Sequence, residues 1–279
     1  MIIRCFGARG SIPVSGQEYV KYGGDTTCLE LRTYDDDIII VDAGSGIRRL
    51  GNRLMAESRF AYTMLMTHSH WDHILGFPFF KPIYDPRTTI TILGCSQAQG
   101  DVKKLLGRAM STPFFPVPFS RLASEFVYQN DCVMSHHIGP LEVFPINLSH
   151  ANGGLGFKFV ERDKSFVFLT DNELGHRHRG GLTMPDYVEF ARNADLLIHD
   201  AEYTPEEIAV TRGWGHSTYL EALELAINAN VAQLGLFHHN QDRNDEDVDV
   251  IVAHCREIVV SQKARPEVFA VSQDTTLIL

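Results

Sequence analysis

Within Thr67-His68-Ser69-His70-Trp71-Asp72-His73, four side chains that ligate metals fall in six residues. Zinc accepts this mixture of imidazole and carboxylate, and imidazole also suits manganese or iron. His68 and His70 stand two apart at the end of an apolar run. In extended chain such positions point the same way, so they can share one ion. If the chain then turns, Asp72 and His73 offer an oxygen and a nitrogen to a second ion. Ionisable groups are too costly to bury together without partners, so chance crowding in a loop explains the cluster poorly. Two adjacent metals create a nucleophile at neutral pH and neutralise charge on a phosphate or carbonyl oxygen. The cluster therefore predicts a two-metal hydrolytic site whose remaining ligands come from other strand ends.

Several apolar runs end in such groups. Ile38-Ile39-Ile40-Val41 runs into Asp42, Phe166-Val167-Phe168-Leu169 into Thr170-Asp171, Leu196-Leu197-Ile198 into His199-Asp200, and Leu234-Gly235-Leu236-Phe237 into His238-His239. Short continuous apolar runs read as strands buried on both faces, which implies sheets covered by helices. Strand ends commonly present reactive groups to a shared crevice. Thr218 with Glu221 fits a capping box, and Leu220, Leu223 and Ile227 recur along one face, predicting a helix over 218–228. Others are expected over 248–258 and 101–110. The pattern fits a layered αββα sandwich, and periodicity alone also permits a doubly wound sheet.

The 279 residues, 44% hydrophobic and 22% charged, suffice for a substantial core, and no linker or repeat divides them, so one domain over 1–279 is expected. With 35 acidic and 25 basic residues the net charge is −10, which disfavours binding of long nucleic acid. Neither a secretory leader nor a long apolar run is legible, so a cytoplasmic protein that does not span a membrane is expected. Five scattered cysteines, Cys5, Cys28, Cys95, Cys132 and Cys255, without a CxxC pair read as reduced thiols.

The HxHxDH stretch resembles that of the metallo-β-lactamase superfamily, and later motifs follow in that family's order along nearly the whole chain. The resemblance implies the four-layered αββα sandwich and a ligand set. Asp42, in Asp42-Ala43-Gly44-Ser45-Gly46, matches a first motif whose aspartate is structural. His150 matches the third motif, Asp171 the fourth with its bridging carboxylate, and His238 the fifth. By this likeness one metal takes His68, His70 and His150, the other takes Asp72, His73 and His238, and Asp171 bridges them. His239 is the less favoured substitute for His238. His136 and His137 read as ordinary loop histidines.

Lactonases, β-lactamases, thioester hydrolases and phosphodiesterases of this superfamily share nearly these ligands, so other residues must select the reaction. Gly7-Ala8-Arg9-Gly10-Ser11-Ile12-Pro13 and Gly23-Gly24-Asp25-Thr26-Thr27-Cys28 are similar to the opening motifs of the branch containing ribonuclease Z and cyclic-nucleotide phosphodiesterases. Ile198-His199-Asp200-Ala201-Glu202-Tyr203 resembles its HEAT-type segment with Asp200 in the glutamate's place, and Gly215-His216-Ser217-Thr218 its GHST segment. That likeness implies His216, steadied by Asp200, as proton donor to the leaving oxygen, with Asp72 orienting or deprotonating the water. A helix start after His216 would attract phosphate, and Ser217 would add a donor.

The expected activity is hydrolysis of a small phosphodiester, foremost a 3′,5′-cyclic nucleotide. An RNA 3′-processing endonuclease, a lactone or acyl hydrolase and a metal-dependent sensor without turnover are the alternatives. Family likeness also suggests a homodimer. Two stretches stay open: the basic run His176-Arg177-His178-Arg179, a solvated loop or a phosphate contact, and Phe114–Phe119, whose aromatics pack in the core, stack a base, form a lid or meet a partner.

Overall fold

The apolar runs do form strands. In the computed structural model, which describes residues 1–94, 101–129 and 133–279, the first half contributes β1 (Ile2–Gly7), β2 (Cys28–Arg32), β3 (Ile38–Val41), β4 (Ala61–Leu65), β5 (Thr89–Leu93) and β6 (Glu125–Gln129). The second half contributes β7 (His136–Ile138), β8 (Leu141–Asn147), β9 (Leu155–Glu161), β10 (Lys164–Leu169), β11 (Leu196–Asp200), β12 (Gln233–Phe237), β13 (Glu267–Ala270) and β14 (Thr276–Ile278). Among the described residues the α-helices are α1 (Ile47–Ala56), α2 (Trp71–Ile74), α3 (Val102–Ala109), α4 (Met184–Ala191), α5 (Ile208–Thr211), α6 (Tyr219–Asn228) and α7 (Asp245–Gln262).

Among the described residues the strands form two sheets, ordered β14-β1-β2-β3-β4-β5-β6 and β13-β12-β11-β10-β9-β8-β7. The same path is drawn twice. β1 to β3 pair antiparallel and β3 to β6 parallel; β8 to β10 pair antiparallel and β10 to β13 parallel. The repeat was not legible in the residues, because equivalent strands share hydrophobic pattern and not sequence.

Three cores show the layering. Ile39 and Val41 of β3 meet Phe166 and Phe168 of β10 between the sheets, while Ile38 and Ile40 face outward onto Leu50 and Leu54 of α1. On the far side Val167 and Leu169 pack with Leu223 and Ala226 of α6 and Val252 of α7. Residues of the central strands β3 and β11 are thus buried whichever face they take, which explains runs without polar alternation. The result is the αββα sandwich of the metallo-β-lactamase fold, and the doubly wound alternative falls.

Local departures have local causes. α6 starts where its capping box predicts, with the Thr218 hydroxyl accepting from Glu221 N and Glu221 accepting from Thr218 N. α7 runs beyond the expected 248–258, since Asn244 and Asp247 form a second capping box and three acids fill its first turn. The helix expected over 101–110 is α3, capped by Asp101. His136 and His137 lie in β7 and not in a loop, because β8 pairs with that segment. Phe115 and Phe119 pack against the core, Phe119 stacking on Phe77, whereas Phe114 is 76% exposed. Cys5, Cys28 and Cys255 are free and buried; Cys95 and Cys132 lie outside the described residues. No helix of the described residues is long and apolar enough to cross a membrane.

Candidate functional site

Both sheets deliver their polar strand ends to one place. His68 and His70 follow β4, and the single turn of α2 swings Asp72 and His73 around. His150 follows β8, Asp171 follows β10 and His238 follows β12. Asp171 and His238 adopt left-handed backbone, φ 54° and 57°, as does Asp42 at φ 62°. Such conformations cost roughly 1–3 kcal/mol each in non-glycine residues, and the surrounding sheets must hold them.

Asp171 sits between two sets of histidines. Its Oδ2 lies 3.3 Å from His68 Nε2 and 3.8 Å from His150 Nε2, while its Oδ1 lies 3.3 Å from His73 Nε2 and 3.4 Å from His238 Nε2. His70 Nδ1 points at His150 Nε2, 2.9 Å away, and Asp72 Oδ2 stands 3.1 Å from His238 Nε2 and 3.3 Å from His73 Nε2. The ligand atoms of His68, His70, His150 and Asp171 lie within 4.8 Å of one another, as do those of Asp72, His73, Asp171 and His238. One carboxylate thus turns a different oxygen to each set.

The donors fit two metal ions. His68 Nε2 and His73 Nε2 are buried without a hydrogen-bond partner, a costly state for a polar atom that no ligand engages. The other ring nitrogens are tied: His73 Nδ1 donates to Asp42 at 2.8 Å, His150 Nδ1 to the Gly215 carbonyl at 2.8 Å, and His238 Nδ1 to Glu202 at 2.9 Å. Such bonds fix the tautomer and leave Nε2 free to ligate. Burial opposes charge on His73 and His238, yet surrounding carboxylates, Asp171 foremost, hold both well above the usual imidazole range. Burial would also raise Asp72 and Asp171, but the histidines hold both carboxyls well below theirs.

A family model described as beta-lactamase superfamily domain matches residues 38–239. The chain belongs to the beta-lactamase superfamily. Among curated proteins it is 25% identical over 249 residues to ribonuclease Z of Haloarcula marismortui, covering 73% of this chain and 77% of that protein. Among solved structures it superposes on unliganded yeast PDE1 with a TM-score of 0.71 at 15% identity, covering 100% and 99% of the two chains. The short form of human tRNase Z gives 0.68 at 19% identity, covering 100% and 99%. The protein is accordingly an enzyme of the hydrolase class with the metallo-β-lactamase fold.

The superfamily's first motif explains Asp42: it accepts from Thr67 N, Thr67 Oγ1 and His73 Nδ1, bracing the HxHxDH turn. His239 turns away, its Nε2 donating to the Val271 carbonyl, and burial among Arg9 and other cations lowers it to about 3. Gly215 has φ +104°, and a Cβ there would fall 2.0 Å from His150 Nδ1, so only glycine lets the loop cross that ring.

His216 and Asp200 pair at 2.6 Å through Nδ1 and Oδ2, so the shorter aspartate still reaches. The His216 ring stacks on His238, with centroids 4.7 Å apart. Burial disfavours its charge, but Glu202 and Asp200 lift it to about 9. Glu202, from the same segment as Asp200, also enters the site. It lies 3.4 Å from His216 Nδ1 as well as bonding His238. Its position two residues after Asp200 in extended chain was the available signal. Ser217 departs from expectation. It is fully buried, its hydroxyl donating to the Asn172 carbonyl and accepting from Leu174 N, so it braces the loop and does not offer a donor to substrate. The α6 terminus is likewise closed by Thr218 and Glu221 and is no open phosphate seat.

Proposed function

We propose that the protein hydrolyses small phosphodiesters to phosphomonoesters, with 3′,5′-cyclic nucleotides the leading substrate class. The observation that carries this reading is the His216–Asp200 pair set against a ligand centre divided by Asp171. His68, His70 and His150 would hold one divalent cation, Asp72, His73 and His238 the other, with Asp171 shared and zinc the favoured metal before manganese or iron. Bound there, the cations supply Lewis acidity and neutralise charge on the phosphoryl oxygens.

The chain's own groups do the rest. Asp72 is steadied by Ser11 N at 3.0 Å and orients or deprotonates the attacking water. As the water oxygen bonds to phosphorus and the P–O ester bond breaks, His216 Nε2 gives a proton to the departing oxygen. Asp200 and Glu202 hold Nδ1 and keep the ring aimed.

The acidic balance of the chain favours a small substrate, whereas its ribonuclease Z relatives favour an RNA 3′-processing role as the second reading. We place the enzyme in the cytoplasm as one domain and a homodimer. A metal-loaded activity panel tests the ranking with cyclic nucleotides, bis(p-nitrophenyl) phosphate, RNA bearing a 3′ trailer, and lactones. Turnover of the small diesters with weak salt dependence is expected, because few counterions are released when few phosphates bind. Trailer cleavage without cyclic-nucleotide turnover would reverse the ranking.

A further inference from the structure

Two cavities of opposite character flank the site, one lined by His150 and the other by His216. One, of about 560 Å³, is lined by His150, Asn152, His178 and Arg179 among others and has no carboxylate in its wall. The second, of about 310 Å³, lies beside His216 and has three carboxylates, Glu202, Glu207 and Asp242, with no lysine or arginine among its lining. Tyr203 and Trp214 complete its aromatic side, and Trp214 is 63% exposed.

The charges in the second cavity are not equal. Glu202 is bonded to His238, and Glu207 is paired with Arg243 at 2.7 Å. Asp242 accepts from the neutral Gln241 amide at 3.0 Å and forms no ion pair among the described residues. The cavity therefore brings two aromatic side chains, Tyr203 and Trp214, and the unpaired Asp242 carboxylate into one lining with His216, the group that protonates the leaving oxygen.

We propose that this cavity receives the leaving group as an uncharged nucleoside stacked on Trp214, and that Asp242 turns away a leaving group carrying a further phosphate. The inference rests on phosphodiester hydrolysis with His216 as proton donor, since that places the departing oxygen on this side. An aromatic ring stacks any base, so the cavity selects by charge before it selects by base. Like charges a few ångströms apart repel by about 1 kcal/mol in water and more near a protein surface. A cyclic nucleotide meets the requirement because its leaving oxygen belongs to the nucleoside itself.

The metal-loaded enzyme is tested with the dinucleoside monophosphate ApA and with pApA, which adds a 5′-phosphate to the nucleoside that departs through its 3′ oxygen. Roughly tenfold lower kcat/KM is expected for pApA, and Asp242→Asn should shrink that gap to roughly threefold. Adenosine supplies a second readout. It should quench the tryptophan fluorescence of Trp71→Phe, which retains Trp214, and not that of Trp214→Phe. Equal cleavage of ApA and pApA, or quenching that survives loss of Trp214, would overturn the assignment. Failure of the wild-type enzyme on every diester, cyclic AMP included, would instead remove the functional reading, and the adenosine titration would still judge the cavity.

Discussion

Asp171 and His216 stand a few ångströms apart and are expected to fail in different ways. Because one oxygen of Asp171 faces each histidine set, Asp171→Ala should lower occupancy of both metals, measured by elemental analysis of the purified variant. Full occupancy of either set would refute the shared carboxylate. Glu202→Gln acts one bond further out, through His238, and should weaken metal affinity roughly 10–100-fold while the protein still binds metal at saturation. His216 lies outside both ligand sets. His216→Ala should keep its metal yet lose roughly 10²–10⁴-fold in turnover of a cyclic nucleotide. An activated aryl diester needs little protonic help, so its loss should be much smaller. Equal losses on both substrates would leave His216 as a phosphate contact and remove the general-acid assignment.

At the scale of elements, the site depends on strand ends and on the loops that cross them. The segment from Gly213 to Gly215 is pinned because both backbone N–H groups donate to the buried Glu173 carboxylate, at 2.7 and 2.8 Å, which also accepts from His178. That pinning presents the Gly215 carbonyl to His150 and starts the chain toward His216 and α6. The helix begins three residues after His216, with a satisfied capping box at its N-cap Thr218. Thr218→Ala should therefore cost about 0.5–2 kcal/mol in denaturant unfolding. Metal content should stay unchanged, because neither Thr218 nor Glu221 touches a ligand. Loss of metal in that variant would show that the cap positions the site as well as the helix.

On the scale of the whole molecule, the residues proposed as ligands come from both sheets, following β4 on one side and β8, β10 and β12 on the other, so bound metal would join the two. Metal that binds this folded arrangement and not the open chain stabilises it by mass action, by about 2.7 kcal/mol at a free concentration one hundred times Kd. Chelation should lower the Tm, and restoring metal should return it, as differential scanning calorimetry can measure. A Tm indifferent to chelation would mean that the centre does not join the halves as described.

The residues alone determined the chemistry of the donors and the burial of their strands. Four ligands in six residues after an apolar run are a local pattern, and continuous runs such as Ile38–Val41 require cover on both faces wherever they lie. The family's motif order implied His150, Asp171 and His238; of these, Asp171 and His238 follow apolar runs legible in the sequence, whereas the strand before His150 is broken by Glu142 and Pro145 and is not legible there. Contacts between distant segments were decided only in three dimensions. Glu202's place two residues after Asp200 hints that it faces the site, but its partner His238 is fixed only when β11 and β12 lie parallel. Ser217 reads as a free donor until the Asn172 carbonyl and Leu174 N close over it. The opposed cavities beside His150 and His216 combine loops far apart in the chain, and tertiary packing alone sets which charges line a common wall.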